Sequence, residues 1–133
     1  MSRPTPNTLE SYPYRITIPT RWADNDVYGH VNNSVYYFYF DTVVNEFLIK
    51  KGLLNIETSQ TIGLVVNTHC DYFSPVSFPD IINAGLCVSR LGSSSVTYDV
   101  GLFKNKESNS AAQGQFTHVY VDRETRRPVK LSD

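Results

Sequence analysis

The sequence has almost no excess charge of either sign, since 12 Lys and Arg residues face 13 Asp and Glu residues and give a formal net charge of -1. Proteins that bind nucleic acids or anionic membranes usually carry clustered positive charge. A basic stretch occurs only near the end, over residues 123–130. We therefore predict no nucleic-acid partner, and we interpret the tail either as a solvated extension or as part of a rim that contacts phosphate.

Cysteine is scarce, and long apolar runs are missing. Cys70 and Cys87 lie in apolar segments without CxxC spacing, which is typical of small buried hydrophobic residues in a reducing compartment. A disulfide between them is the alternative. No run reaches membrane-spanning length, and residues 1–13 lack the apolar core of a signal peptide. We expect a cytosolic protein that does not contact a membrane.

Glycine-rich phosphate loops, internal repeats and low-complexity tracts are absent as well. A chain of 133 residues is long enough for one hydrophobic core and too short for two. We predict a single domain over residues 1–133, of which residues 1–13 form a flexible leader. The aromatic share of 13% is high and fits either an apolar binding channel or a large interface.

The segments that are present predict one long helix and five strands. Residues 14–22 alternate apolar and polar and favour a strand bent at Pro19. Residues 33–50 place Tyr36, Phe40, Val43, Val44 and Phe47 at helical spacing, and Gly52 follows as a stop signal. Four further strands are predicted over residues 61–73, 81–91, 94–104 and 111–122.

The predicted helix has one weakness, because the aromatic run over residues 35–40 favours a strand by propensity. A helix that is apolar nearly all round and polar at both ends is best explained by burial on most sides. The element order therefore predicts an α+β fold, with a five-stranded antiparallel sheet curled around one long central helix. Its exposed sheet edges predict a homodimer or a homotetramer.

The run over residues 21–33 concentrates the reactive side chains of the chain. Asp24, Asp26 and His30 stand directly before the predicted helix, whose first N–H groups are unpaired and attract negative charge. A calcium loop starting at Asp24 is excluded by spacing, since Tyr28 and Val35 would occupy ligand positions. The histidines, at positions 30, 69 and 118, show no zinc spacing. We predict no metal and no cofactor.

Two interpretations of the aspartates remain open on spacing alone. Asp24 and Asp26 could simply stabilise turns and cap the helix, as Asp residues often do. They could instead supply a base or nucleophile next to an oxyanion site made by helix N–H groups. Gly29 permits a tight turn beside that site.

Three motifs resemble those of a known family. The run Asp26-Val27-Tyr28-Gly29-His30-Val31-Asn32-Asn33, with Tyr36 one turn later, resembles the signature of hotdog-fold acyl-CoA thioesterases of the 4-hydroxybenzoyl-CoA thioesterase type. Residues 73–80 resemble that family's strand end and acidic turn. Residues 121–122 and 127–128 resemble its closing strand and tail. The resemblance covers residues 14–130, and the predicted element order agrees with the hotdog fold.

The resemblance implies hydrolysis of an acyl-CoA thioester by Asp26, with the backbone N–H of Asn33 as the oxyanion donor. It leaves Asp26 open as general base or as nucleophile. His30 and Asp24 take supporting roles in this interpretation, whereas Tyr28, Gly29 and Tyr36 contact substrate. Alternatives are an acyl-thioester dehydratase, whose histidine motif is not found here, and a module that binds or senses acyl-CoA without hydrolysing it.

The chain also departs from the family pattern. Many relatives carry an arginine where this chain has Val43-Val44, and Asp41 replaces a glutamate. Inferences about substrate range or a supporting salt bridge therefore do not transfer. Arg90, Ser93, Ser94 and the tail arginines are candidates for contacts with the CoA phosphates, because they lie near predicted strand ends.

Overall fold

The computed structural model describes residues 5–52 and 60–130. Its main elements, in chain order, are β1 (Tyr14–Pro19), α1 (Asn33–Lys50), β2 (Thr61–Tyr72), β3 (Ile81–Leu91), β4 (Ser95–Lys104) and β5 (Ala112–Asp122). Two short 3-10 helices, Leu9–Ser11 and Trp22–Asp24, flank β1. The predicted bounds of the helix and of β3 are confirmed, and those of β2, β4 and β5 differ by one residue.

The five strands form one antiparallel sheet in the order β1-β3-β4-β5-β2. Short hairpin links join β3 to β4 and β4 to β5, so these strands are neighbours in the sheet as well as in sequence. The edges are β1 and β2. The arrangement confirms the predicted α+β class and the hotdog architecture, in which the sheet curls around α1.

Helix α1 packs one face against the sheet. Its buried side chains are Tyr36, Tyr39, Phe40, Val43, Val44 and Leu48. The opposite face is open, since Phe38 is 63% exposed and Ile49 is 47% exposed. The prediction of a helix buried on most sides therefore holds only for the faces that the curled sheet covers, because within one chain the sheet leaves the face of Phe38 and Ile49 open.

The ends of α1 follow from local chemistry. The side chain of Asn32 accepts a hydrogen bond from the Ser34 N–H at 3.0 Å and caps the first turn. Gly52 has a φ of 72°, a left-handed conformation that glycine adopts without steric cost. Helical spacing between these two signals outweighs the strand propensity of the aromatic run.

The first strand ends earlier than predicted, at Pro19 and not at Trp22. The Arg21 N–H donates to Asp24 Oδ2 at 2.9 Å, and the Asp24 N–H donates to the Arg21 carbonyl at 2.9 Å. These bonds close a 3-10 turn, so the chain leaves the sheet directly after the proline.

The prediction of a flexible leader is wrong for residues 5–13. Tyr12 is 2% exposed and lies edge-on to Phe103, with ring centroids 5.9 Å apart. Gly85 and Gly101 leave room for its ring, since an added Cβ at either would come within 2.5 Å of Tyr12. Tyr12 thus ties this segment to the sheet, while most of the other described leader side chains are exposed.

The two cysteines lie on strands that are not neighbours, Cys70 on β2 and Cys87 on β3. Both are free and half-buried, so the disulfide alternative does not occur. Burial raises the pKa of the Cys70 thiol to about 12. The thiol therefore stays protonated at neutral pH.

Candidate active site

The loop between β1 and α1 is anchored by Asp24. This side chain is 1% exposed, and its carboxylate accepts hydrogen bonds from two groups on Arg21 and from the Tyr39 hydroxyl at 2.7 Å. Burial by itself raises the pKa of the Asp24 carboxyl, but the bonds from the Arg21 N–H, Tyr39 and the guanidinium outweigh burial and lower it. Asp24 is thus a buried carboxylate, and both of its oxygens already accept hydrogen bonds.

Asp26, two residues later, has a different environment. It is half-buried, and its Oδ1 accepts one hydrogen bond, from the Tyr28 N–H at 2.8 Å. Oδ2 accepts none from the described residues. The Asp26 N–H donates to the His30 carbonyl at 2.8 Å, and its carbonyl accepts from the Gly29 N–H at 3.1 Å. The turn holds the backbone of Asp26 and leaves one carboxylate oxygen available for chemistry.

Gly29 makes this turn possible because its φ is 82°, in the left-handed region. An added Cβ would meet no atom within 4 Å, so the backbone conformation alone selects glycine here. The Gly29 carbonyl accepts a hydrogen bond from Ser77 Oγ at 2.8 Å. The turn is therefore supported from a second loop.

That second loop lies between β2 and β3, over residues 73–80. The Val31 N–H donates to the Val76 carbonyl at 2.7 Å, and the Phe78 N–H donates to Asn25 Oδ1 at 3.0 Å. The two motifs identified in the sequence, which lie about fifty residues apart, are thus joined by hydrogen bonds. Residues 76–78 form the support on which the Asp26 turn rests.

The start of α1 leaves one donor unused. The Asn32 N–H donates to the Asp24 carbonyl at 2.9 Å, the Ser34 N–H is capped by the Asn32 side chain, and the Val35 N–H donates to the Asn32 carbonyl. Within residues 5–52 and 60–130, the Asn33 N–H donates to no other group. A free N–H at the positive end of a helix is suited to bind a developing oxyanion.

An open cavity of about 750 Å³ has Asp26 in its wall. It is lined by Trp22, Asn25, Asp26, Val27, Tyr28, Gly29 and Asn32. Trp22 is 76% exposed and lies edge-on to Phe78, with ring centroids 6.0 Å apart. Exposed aromatic rings beside an accessible carboxylate form a site for a ligand that is partly apolar.

The structure brings together some of the predicted site residues and separates others. Asp26, Tyr28 and Gly29 line the cavity. His30 contributes its carbonyl to the turn, while its exposed imidazole makes no hydrogen bond to the described residues. Tyr36 is 3% exposed and packs in the core, where its ring lies edge-on to Tyr72. It is not among the residues that line the open cavity.

The predicted phosphate contacts lie elsewhere. Arg90 lies near the end of β3, and Ser93 and Ser94 lie in the β3–β4 link; the nearby Leu91 and Val96 share a second cavity with the last turn of α1. Within one chain, these candidates are at the opposite end of the helix from Asp26. The sequence indicates only that these residues lie near strand ends, and it does not indicate at which end of the sheet those strand ends lie.

The second cavity is mainly apolar and measures about 590 Å³. Phe47, Leu48, Tyr98 and Tyr120 are among its lining residues. The hydroxyls of Tyr98 and Tyr120 are 2.7 Å apart and hydrogen-bonded, and Nδ1 of His118 lies 3.3 Å from the Tyr120 hydroxyl. Burial lowers the pKa of His118, which is 2% exposed. The polar groups of Tyr98, Tyr120 and His118 are thus bonded to one another.

Sequence reasoning missed Trp22 and Asn25, which line the first cavity, and Phe78, which packs on Trp22. Trp22 had a signal, as the single tryptophan of the chain placed four residues before Asp26. Asn25 and Phe78 had none, because their hydrogen bond joins loops that are distant in sequence.

Two absences concern the described residues only. No three or more His, Cys, Asp or Glu side chains among residues 5–52 and 60–130 are grouped as metal ligands. No helix in that part of the chain is both long and apolar enough to cross a membrane.

Comparison with known proteins gives a consistent result. Residues 20–133 match the family model described as the thioesterase-like superfamily. The crystal structure of the PA5185 protein from Pseudomonas aeruginosa superposes with a TM-score of 0.92 at 50% identity, covering 96% of this chain and 89% of that one. The protein YsmA of Bacillus subtilis is 28% identical over 123 residues, which are 92% of this chain and 82% of YsmA.

A third relative was crystallised with a ligand. The thioesterase from Thermus thermophilus complexed with coenzyme A and Zn is 28% identical and superposes with a TM-score of 0.78. The match covers 93% of this chain and 89% of that one.

Proposed function

This chain belongs to the thioesterase-like superfamily, and from that premise we propose that it hydrolyses acyl-CoA thioesters to a free acid and CoA. The observation that carries the proposal is that one Asp26 oxygen, in the loop before α1, and the Asn33 N–H, at the first residue of α1, are both left unbonded by the described residues. The relative from Thermus thermophilus, crystallised with coenzyme A, supports CoA as the thiol component of the substrate.

The chemistry of a thioester fits this pair of groups. Hydrolysis places negative charge on the carbonyl oxygen in the transition state, and the Asn33 N–H at the helix start would stabilise that charge. Free Oδ2 of Asp26 would deliver the attack. The leaving thiol has a pKa of about 8.5, so its departure does not require a strong general acid. A site with one carboxylate and one oxyanion donor is therefore sufficient.

Asp26 can deliver the attack by two routes. As a general base, it takes a proton from water while the water oxygen bonds to the thioester carbon; the C–S bond of the tetrahedral intermediate then breaks, and the CoA thiolate takes up the proton. As a nucleophile, it bonds to that carbon itself, the C–S bond breaks, and water then hydrolyses the mixed anhydride. Both routes begin from the same oxygen and end with the acid and the thiol of CoA.

The direct test measures release of free thiol from short, medium, long and aromatic acyl-CoAs by the wild type and by Asp26→Asn. We expect turnover of at least one of these thioesters by the wild type and a large loss in the variant. Asp41→Asn is the matched control, because Asp41 lies on the exposed face of α1 and, within residues 5–52 and 60–130, its side chain hydrogen-bonds only to Asn45 of the same helix.

Three other outcomes would change the proposal. Equal turnover by the wild type and Asp26→Asn would remove Asp26 from the mechanism. Binding of acyl-CoA without thiol release would assign the chain as a binding or sensing module. Hydration of an enoyl thioester without thiol release would assign it as a dehydratase.

The same proposal includes a second copy of the chain, as a homodimer or a homotetramer. One side of β2 pairs with β5, and the other side is a free edge in the described chain. Leu64, Val65 and Val66 on this strand are 37%, 47% and 58% exposed. A long apolar edge is a template for pairing with another strand. We propose that two β2 edges pair and that the two subunits share the active site.

Sedimentation tests this part separately. Val66→Lys should convert the oligomer to monomers and lower thiol release, whereas Leu91→Lys, at an exposed residue at the end of β3, should change neither. A monomer that keeps full activity on dilution would contradict a shared site.

We also propose that the protein works in the cytoplasm. Cys70 and Cys87 are both free, which agrees with a reducing compartment. Labelling both thiols in freshly lysed cells tests this, and a blocked or oxidised pair would oppose it.

A further inference from the structure

Asp24 is the most deeply buried charged group in the described chain, and the proposed reaction makes no use of it. It is 1% exposed and does not line the cavity around Asp26. A carboxylate removed from water is costly unless donors surround it. Its two oxygens accept four hydrogen bonds, three from Arg21 and one from Tyr39. The presence of a fully bonded anion under the loop calls for a role.

The four donors come from two different parts of the fold. Arg21 stands at the start of the loop, and donates through its N–H at 2.9 Å and through its guanidinium at 2.9 and 3.1 Å. Tyr39 stands on the buried face of α1, and its hydroxyl is 2.7 Å from Asp24 Oδ2. The side chain of Asp24 therefore joins the loop to the helix through charge-assisted bonds, which are stronger than neutral ones.

The backbone of Asp24 makes a third connection. Its carbonyl accepts the N–H of Asn32 at 2.9 Å, so it holds the residue that caps α1. Asp26 is two residues from Asp24, and Asn33 is one residue from Asn32. Because consecutive Cα atoms are only about 3.8 Å apart, a movement of Asp24 displaces both proposed reactive groups.

We propose that Asp24, held by Tyr39 and Arg21, is a positioning residue that fixes the Asp26 carboxylate relative to the Asn33 N–H. This inference rests on the proposed thioesterase function, and it adds that the Tyr39 hydroxyl on α1 sets the geometry of the loop. A displacement of about 1 Å between reacting groups can lower a rate about a hundredfold. The Asp24 clamp, defined as Asp24 with Arg21 and Tyr39, prevents such a displacement.

The variant that tests the Asp24 clamp is Tyr39→Phe, which removes one hydroxyl and keeps the ring in the core. The matched control is Tyr98→Phe, because Tyr98 is also buried, at 2% exposed, and its hydroxyl bonds to Tyr120, away from the loop. Both variants lose one buried hydrogen bond, so both should melt at a lower temperature. A purely structural role for Tyr39 predicts no further difference between them.

The kinetic result separates the two roles. We expect Tyr39→Phe to lower kcat by about tenfold to a hundredfold, with KM for acyl-CoA changed by less than about threefold. Tyr98→Phe should leave both constants within about twofold of the wild type. Equal kcat values per folded molecule in the two variants would overturn the positioning role.

A second readout does not depend on activity. Amide hydrogen exchange reports the bond from Asn32 to Asp24 and the bond from Asp26 to His30 directly. We expect both amides to exchange about tenfold faster in Tyr39→Phe and at the wild-type rate in Tyr98→Phe. Unchanged exchange in Tyr39→Phe would overturn the Asp24 clamp, whereas a wild type that releases no thiol would contradict only the proposed function.

Discussion

The two ends of helix α1 meet the rest of the chain in opposite ways. At the first end, the polar groups of the loop keep unused bonding capacity, namely Oδ2 of Asp26 and the N–H of Asn33. At the last end, the polar groups of Tyr98, Tyr120 and His118 are bonded to one another beneath an apolar cavity. Each end has a cavity, and the free groups Oδ2 of Asp26 and the Asn33 N–H distinguish the first end from the bonded aromatic groups of the last.

This difference separates accessible groups from saturated ones. A group that is accessible and not bonded within the protein can bind a ligand, whereas a buried group that is already paired contributes to stability. Asp24 and Asp26 repeat the contrast within one loop, since the first is saturated with donors and the second is not. We therefore expect variants at the first end to change the rate, and variants at the last end to change the free energy of unfolding.

The largest expected effect is on turnover at the first end. Asp26→Asn should lower kcat/KM for thiol release about 100-fold to 10,000-fold, the usual contribution of a general base. Its free energy of unfolding should change by less than about 1 kcal/mol, because the lost charge is partly solvated and holds one backbone N–H. Urea titration beside the thiol assay checks both. A loss in the free energy of unfolding as large as the rise in activation free energy would contradict the proposed difference between the two ends of α1.

The next effect is on stability at the last end. Leu48→Ala should lower the free energy of unfolding by about 2–5 kcal/mol, since Leu48 is 6% exposed and packs in the core. Ile49→Ala is the control on the opposite face, where 47% exposure predicts a loss of about 1 kcal/mol or less. Thiol release per folded molecule should stay at the wild-type value in both. A tenfold loss of rate in Leu48→Ala would show that the last end of α1 also affects the reaction, contrary to this expectation.

A matched pair of glycines sharpens the comparison. Gly29 and Gly52, at the two ends, have φ values of 82° and 72°, and neither position has an atom within 4 Å of an added Cβ. Alanine at either should cost about 1–2 kcal/mol of stability through the left-handed backbone. Only Gly29→Ala should also lower turnover, because the Gly29 N–H bonds to Asp26. Equal kinetics in the two variants would mean that the Asp26 turn has no part in the reaction.

The smallest expected effect is on how steeply the free energy of unfolding changes with pH. Burial lowers the pKa of His118, so the folded state binds a proton less readily than the unfolded chain, whose histidine titrates near about 6.5. The contribution of His118 to the free energy of unfolding should therefore be complete above that pH and should decrease as the pH falls below it. His118→Gln should flatten this fall. Asp24 acts in a separate window below about pH 4, where protonation removes the stability given by its lowered pKa.

Much of the fold could be predicted from sequence, because the signals were local. Asn32 and Gly52 delimit α1, and the helical spacing between them fixes the face that is buried. The strand bounds follow from alternation and from turn residues, as for β3 at Ile81–Leu91. The Asp26 turn was also visible, since Gly29 supplies its left-handed residue within the same motif.

What could not be predicted depends on contacts between distant residues. Tyr39 bonds to Asp24 across fifteen positions, and Phe78 bonds to Asn25 across fifty-three. The packing of Tyr12 against Gly85 and Gly101 is equally non-local. The sequence alone therefore predicts a flexible leader. Tyr36 fitted both a substrate wall and a core residue, and only its burial at 3% exposure separates the two.

The central claim is that the first end of α1 is the reactive end, and binding of an analogue tests it most directly. A non-hydrolysable acyl-CoA, with a methylene group in place of the thioester sulfur, can be titrated into isotope-labelled protein while the amide signals are followed. We predict that the amides of Asp26, Gly29 and Asn33 shift, whereas those of Leu48 and Gly52 do not. Shifts confined to the last end, with an unmoved Asn33 amide, would contradict the claim.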